Sequence, residues 1–201
     1  GWFMVKSGLV NDVTVSHYRL SIHLINAVII VSIIFWLIQN VISRKNKIFF
    51  KFFKSNAPFQ FLILIIFVQI IMGAFVSGLD AGQIYQSWPR MGENYFPNDL
   101  HLKNLIDLFE FSNHSLVQFY HRILAYAITL YVILLAIIIY KKKIFYLYKP
   151  LNILLFFLCL QVLLGIFTLI SGLDIYLAST HQIISVLLVF SALNLYYFRA
   201  K

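Results

Sequence analysis

Five uncharged apolar stretches, near residues 20–42, 57–79, 123–140, 151–173 and 175–198, constrain this chain more than any other feature, and each is at least 18 residues long. A helix rises about 1.5 Å per residue, so about 20 residues cross the roughly 30 Å of hydrocarbon in a bilayer. None of the five must be interrupted to fit. Pro58 and Pro150 stand at span entrances, where a missing N–H costs nothing. With 61% hydrophobic residues, 11% charged and a mean hydropathy of +0.85, no single soluble core could absorb the apolar surface, whereas a bilayer solvates it directly. The expected fold is all-α: a polytopic transmembrane bundle of five helices.

Charge sets direction. The formal net charge is +9, which in a soluble protein would raise the question of nucleic acid. Here the cations cluster instead, as Arg44, Lys45, Lys47, Lys51 and Lys54, as Lys141, Lys142, Lys143 and Lys149, and as Arg199 with Lys201. Two helices separate each cluster from the next, so all three share one side and read as positive-inside signals whose partner is the lipid headgroup layer. All seven acids, Asp12, Asp80, Glu93, Asp99, Asp107, Glu110 and Asp174, fall on the other side. The N-terminus is expected outside and the C-terminus inside, with nucleic acid excluded as a partner.

Cys159 lies mid-helix among Leu and Phe, so no intrachain disulfide is possible and a packing role is expected. The chain opens at Gly1 with no basic segment followed by a short apolar one, which reads as part of something longer rather than as a signal peptide. Residues 79–114 form one long outer connection, and Leu100, Leu102, Leu105, Ile106, Leu108 and Phe109 suggest a short helix lying in the interface.

An internal repeat organises the spans. Gln69-Ile-Ile-Met-Gly73-Ala-Phe-Val-Ser77-Gly-Leu-Asp80 recurs as Gln161-Val-Leu-Leu-Gly165-Ile-Phe-Thr-Leu-Ile-Ser171-Gly-Leu-Asp174. After each copy comes an outer loop and then a helix with an early histidine, His121 or His181. Two hairpins of one design are implied. Gly73 and Gly165 let backbones approach, and Gln69 and Gln161 can bond across helices, a packing role that direct contact with a cofactor would rival.

Of the six histidines, His17, His101 and His114 lie in outer loops or at span edges. His23, His121 and His181 lie within spans that carry no acid, where an ionisable side chain is costly and marks a functional site. His121 and His181 each stand about six residues into their spans, roughly 9 Å below the outer surface, at one depth. Two such imidazoles among aliphatic and aromatic neighbours suit an axial pair on heme iron, whereas zinc would want four ligands. The alternative is that each bonds a neighbouring helix and binds nothing. Arg122, next to His121, and Arg19, four residues before His23, can pair with a propionate or snorkel to the interface.

Four stretches then carry a family resemblance. They are Gly1-Trp-Phe-Met-Val-Lys-Ser-Gly8 with Val15-Ser-His-Tyr-Arg-Leu-Ser-Ile-His23-Leu; Ser77-Gly-Leu-Asp-Ala-Gly-Gln-Ile-Tyr-Gln-Ser-Trp-Pro89-Arg-Met91; Asn113-His-Ser-Leu-Val-Gln-Phe-Tyr-His121-Arg-Ile-Leu-Ala-Tyr126; and Leu177-Ala-Ser-Thr-His181-Gln182. The chain resembles the heme A synthases of the cytochrome oxidase assembly pathway.

That resemblance implies an eight-helix protein of two similar halves, of which this chain matches the last five helices. Residues 1–42 would end the N-terminal half, 43–56 would form a basic inner loop, and 57–201 would form a four-helix heme-binding half. His121 and His181 would be axial ligands of a heme b cofactor, with Arg122 beside it. His23 and Arg19 would lie on the side of the heme O substrate, whose remaining ligands belong to three helices not represented here. The implied reaction oxidises the C8 methyl of heme O to the formyl of heme A, with oxygen derived from water. Heme O synthase and the N-terminal half would be partners, and the membrane would be the bacterial or mitochondrial inner membrane. His17 departs from the family, which usually has proline there. A membrane cytochrome b that only relays electrons, or a non-catalytic remnant, would show the same histidine pair.

Overall fold

The computed structural model describes residues 2, 15–51, 56–100 and 104–200. Five long helices make up the described chain: α1 His17–Ser43, α2 Ala57–Gly78, α3 His114–Lys141, α4 Tyr148–Ile170 and α5 Ile175–Arg199. All five are long and apolar enough to cross a membrane. The expected all-α membrane bundle is therefore the fold the chain adopts, and no strand runs through the described residues.

The helix ends arise from local chemistry. The Asn113 side chain accepts the N–H of Leu116 at 3.1 Å, and Asp174 accepts those of Tyr176 and Leu177, both at 3.0 Å. Each supplies an acceptor to N–H groups that the first turn leaves unpaired. Pro58 sits in the first turn of α2, where no intrahelical N–H bond is lost. Arg44 ends α1 in a left-handed conformation, φ 49°, which turns its N–H back onto the last carbonyls. The Asn113 cap lets α3 begin at His114, ahead of the purely apolar stretch.

The two Ser-Gly-Leu-Asp copies lead into different structures. Asp174 runs directly into α5. Asp80 instead adopts φ 51° and opens the long connection, with a 3-10 turn at Ala81–Gln83 and a bridge between Met91 and Asn94. A second 3-10 helix, Leu105–Phe109, is closed at its start by reciprocal bonds between Asn104 and Asp107. Leu105 and Ile106 are each 80% exposed and Phe109 72%, so this is the short apolar-faced helix expected in the loop. Leu100 is buried rather than part of that face, and His101 and Leu102 lie outside the described residues. Cys159 corrects an expectation: its place on α4 is exposed, so it packs nothing inside the bundle.

Helix α4 lies along α5 and α2 along α3, the two hairpins of the repeat, while α1 lies on α2 and α5. The hairpins meet chiefly through α2 on α5 and through α3 on α4. At the acid-bearing end, Gly82 comes so close to Leu173 that an added Cβ would stand 2.9 Å from its side chain, which joins the two loops. The core is unevenly placed. Trp36, Leu62, Ile139, Leu151, Leu154, Leu193 and Tyr196, all essentially inaccessible, fill the basic end. By contrast no residue of α5 before Leu188 is buried, and α4 beyond Leu158 buries only Thr168. The acid-end half of the second hairpin is thus loosely filled, at the level of His181.

Candidate functional site

The repeat builds a holder for one imidazole in each hairpin. In the first, Gln69 of α2 sets its side-chain nitrogen 3.1 Å from Nδ1 and 3.4 Å from Nε2 of His121, and donates to the His121 carbonyl at 3.0 Å. One turn on, a Cβ added to Gly73 would stand 3.2 Å from Cε1 of the same ring. In the second hairpin, Gln161 of α4 lies 3.3 Å from Nε2 of His181, and a Cβ on Gly165 would stand 2.9 Å from its Cε1. The four-residue spacing puts glutamine and glycine on one helix face. The amide then holds the ring and the glycine leaves room for it. Both glutamines do bond across helices, as the sequence suggests; the glycines make space for an imidazole rather than for a neighbouring backbone.

The holders are not saturated. Oε1 of Gln69, Oε1 of Gln161 and Nδ1 of His181 are buried without a partner. Buried polar atoms are nearly always bonded, and these are three of five unpartnered ones among the described residues, the others being Nε2 of His17 and Oε1 of Gln118, so the two holders stand out as a candidate site. Both imidazoles are half-buried. Helices α3 and α5, which carry them, are not among the helix pairs in extensive contact. Among the described residues, no three His, Cys, Asp or Glu side chains converge on a point that could cage a metal ion.

The other candidates are placed differently. Arg122 reaches up rather than across: Nη1 donates to the carbonyls of Ser87 and Arg90 at 2.9 and 3.2 Å, and Nη2 to that of Tyr85 at 2.7 Å. Gln118 adds a fourth strap, donating to the Tyr85 carbonyl at 2.9 Å. Beyond, Asp99 accepts from the Tyr85 hydroxyl and from Ser115 Oγ at 2.6 Å. These bonds fasten the loop holding the cis Trp88-Pro89 peptide over the start of α3. His23 stands on an exposed face of α1, one turn from the half-buried Arg19.

Two imidazoles, each held against an amide and a glycine, offer ring nitrogens that can serve as ligands. Comparisons with known proteins show which family the chain falls in. The family described as cytochrome oxidase assembly protein matches residues 1–193. This chain belongs to that family. It is similar to the heme A synthase of Pelagibacter ubique, 45% identical over 197 residues, which make up 95% of this chain and 55% of that protein. It is likewise similar to the heme A synthase of Rickettsia felis, at 39% identity over 94% of the chain and 56% of the relative. The chain therefore spans about half the length of the curated relatives it matches. Membership agrees with the five helices and with all four resembling stretches.

Arg122 and Gln118 are the part of the site that the sequence conceals. The neighbouring histidine draws attention to Arg122, but nothing in the spacing shows that its acceptors are carbonyls more than thirty residues upstream.

Proposed function

We propose that His121 and His181 are the axial ligands of a heme b, and that this four-helix unit serves the heme A synthase reaction of its relatives. The observation that carries the reading is the duplicated holder: Gln69–Gly73 around His121 and Gln161–Gly165 around His181, with unpartnered buried atoms at both. The residues present fit the group. The imidazoles supply two nitrogens, the half of α4 and α5 nearest His181 supplies apolar side chains, and among the described residues no cluster of three or more His, Cys, Asp or Glu competes for a metal.

When bound, a heme with two histidine ligands offers no open iron position and supplies single-electron transfer. The chain's own contribution is to fix the rings by amide bonds and keep water out with the strapped loop 85–99. Oxidising the C8 methyl of heme O to a formyl group releases electrons that such a carrier can accept. In this reading His23 and Arg19 lie on the substrate side, heme O synthase supplies the substrate, the acid-bearing end faces outward and the basic end faces the cytoplasm or matrix.

The purified protein, loaded with heme b, is expected to give a low-spin spectrum that His121→Ala and His181→Ala each abolish while the helical circular dichroism persists. An unchanged spectrum in both variants overturns the ligand assignment. Conversion of heme O by the full-length polypeptide separates a synthase from an electron relay, since a relay binds heme but leaves heme O unchanged.

A further inference from the structure

The basic end carries a built cavity that the heme reading does not use. Beyond α1 the chain folds back on itself: Trp36 Nε1 and Asn40 Nδ2 donate to the Lys47 carbonyl at 2.9 and 3.0 Å, and the Lys47 N–H donates to Asn40 Oδ1 at 3.1 Å. The Lys47 ammonium donates to the carbonyls of Tyr197, at 2.8 Å, and Ala200. Residues 45–48 are thereby locked to the last turn of α5.

Beside this lock lies a cavity of about 490 Å³, lined by Lys45, Lys47, Lys51, Tyr146, Phe198 and Arg199 among others. Arg199 Nη1 donates to the Tyr146 hydroxyl at 3.3 Å, which sets the guanidinium along one rim. Four cations thus share one hollow. Among the described residues no acidic side chain lines this hollow. Burial, and the charge of Lys45, hold the Lys47 ammonium below its ordinary pKa. Ile48, 66% exposed, and Phe198, 48% exposed, line the same hollow.

Cations collected at the end of a membrane bundle, next to exposed apolar side chains, match a molecule with an anionic head and a hydrocarbon tail. We propose that this cavity binds the phosphate headgroup of an anionic phospholipid, gathered by Lys45, Lys51 and Arg199, with its acyl chains against Ile48 and Phe198. Soluble phosphate offers the same oxygens but nothing for the apolar side chains. Basic pockets between helix ends are a recurrent form of lipid recognition.

Native mass spectrometry of the full chain, released from nanodiscs of mixed phosphatidylcholine and phosphatidylglycerol, tests this. The wild type is expected to retain phosphatidylglycerol through detergent exchange. The triple variant K45Q/K51Q/R199Q, which keeps Lys47 and its lock, is expected to lose that adduct about a hundredfold, each removed charge weakening it by about fivefold. The control triple K141Q/K142Q/K143Q removes as many charges from the same end outside the cavity and should retain it. Equal loss in both triples shows a diffuse surface attraction and overturns the site. Equal retention of both lipids by the wild type overturns charge recognition. Displacement of the lipid by millimolar inorganic phosphate, with phosphate then seen bound, assigns the cavity to a soluble anion and overturns the lipid.

Discussion

Gln69 holds His121 twice, through the ring, 3.1 Å from Nδ1, and through the backbone carbonyl at 3.0 Å, and Gln161 repeats the ring contact on His181. A ligand histidine keeps its orientation through the group that bonds its second nitrogen. The amide nitrogen faces each ring and the amide oxygen is buried without a partner, so a half-turn of the amide would offer that oxygen as acceptor to a ring N–H. Q69L and Q161L are expected to leave the bundle folded and weaken heme b retention by about fivefold each, the worth of one net hydrogen bond. Q69E, a stronger acceptor, should lower the heme's reduction potential while Q69L raises it. Redox titration of the purified variants checks both; identical potentials would show that the amides only pack.

The two glycines are not equivalent. A Cβ would meet the His181 ring at 2.9 Å from Gly165 but the His121 ring at 3.2 Å from Gly73. The first separation is shorter than side chains tolerate, so G165A must push its imidazole aside, whereas G73A requires only a small adjustment. Overpacking of this kind costs about 1–3 kcal/mol. G165A is therefore expected to lose most of the low-spin absorbance and G73A to keep the larger part. The reverse order would sink the idea that the glycines are sized to the rings.

Much of this is legible in the sequence, for a physical reason. Membrane spans announce themselves by length, and His121 and His181 stand out because an ionisable group in a span has few structural excuses. The Gln-x-x-x-Gly repeat is visible too, but not its purpose: small and polar residues at helix interfaces usually serve helix contact, and only the folded arrangement sets each glycine opposite an imidazole. Arg122 is harder still. Its acceptors are backbone carbonyls of Tyr85, Ser87 and Arg90, which carry no residue-type signal. The same holds for Lys47, whose partners are the carbonyls of Tyr197 and Ala200. Cys159 departs from its expected packing role because in a membrane helix an apolar neighbourhood in sequence says nothing about which face is inside.

Arg122 sets a test for the loop. Its guanidinium makes three bonds to carbonyls of residues 85–90, and a lysine has one ammonium to replace a fork. R122Q and R122K are both expected to speed amide exchange across residues 85–100 by about tenfold or more, R122Q the more, since a charge-assisted bond is worth about 1.5–3 kcal/mol. Exchange measured by mass spectrometry reads this directly. Unchanged protection would leave Gln118 and Asp99 as the fastening and return Arg122 to a propionate role.

The same loop has a pH limit set by Tyr85. Burial first, and then its bond to the Asp99 carboxylate, raise the Tyr85 phenol above its ordinary pKa. A group whose folded pKa lies above the unfolded one stabilises the closed form fully below the unfolded value, about 10 for tyrosine, and loses that contribution as pH rises through the folded one. The fastening should therefore be insensitive to pH from neutrality to about 9 and open above about 10, where phenolate would face carboxylate. Ultraviolet titration of tyrosinate should show that Y85F has lost one of the late-ionising phenols of the wild type, and loop exchange should accelerate over the same interval in the wild type. In Y85F the clasp to Asp99 is absent from the start, so exchange at neutral pH should already be raised and the alkaline step should vanish. A Tyr85 that ionises with the exposed tyrosines, or an alkaline step that persists in Y85F, would mean that Asp99 holds the loop through Ser115 alone.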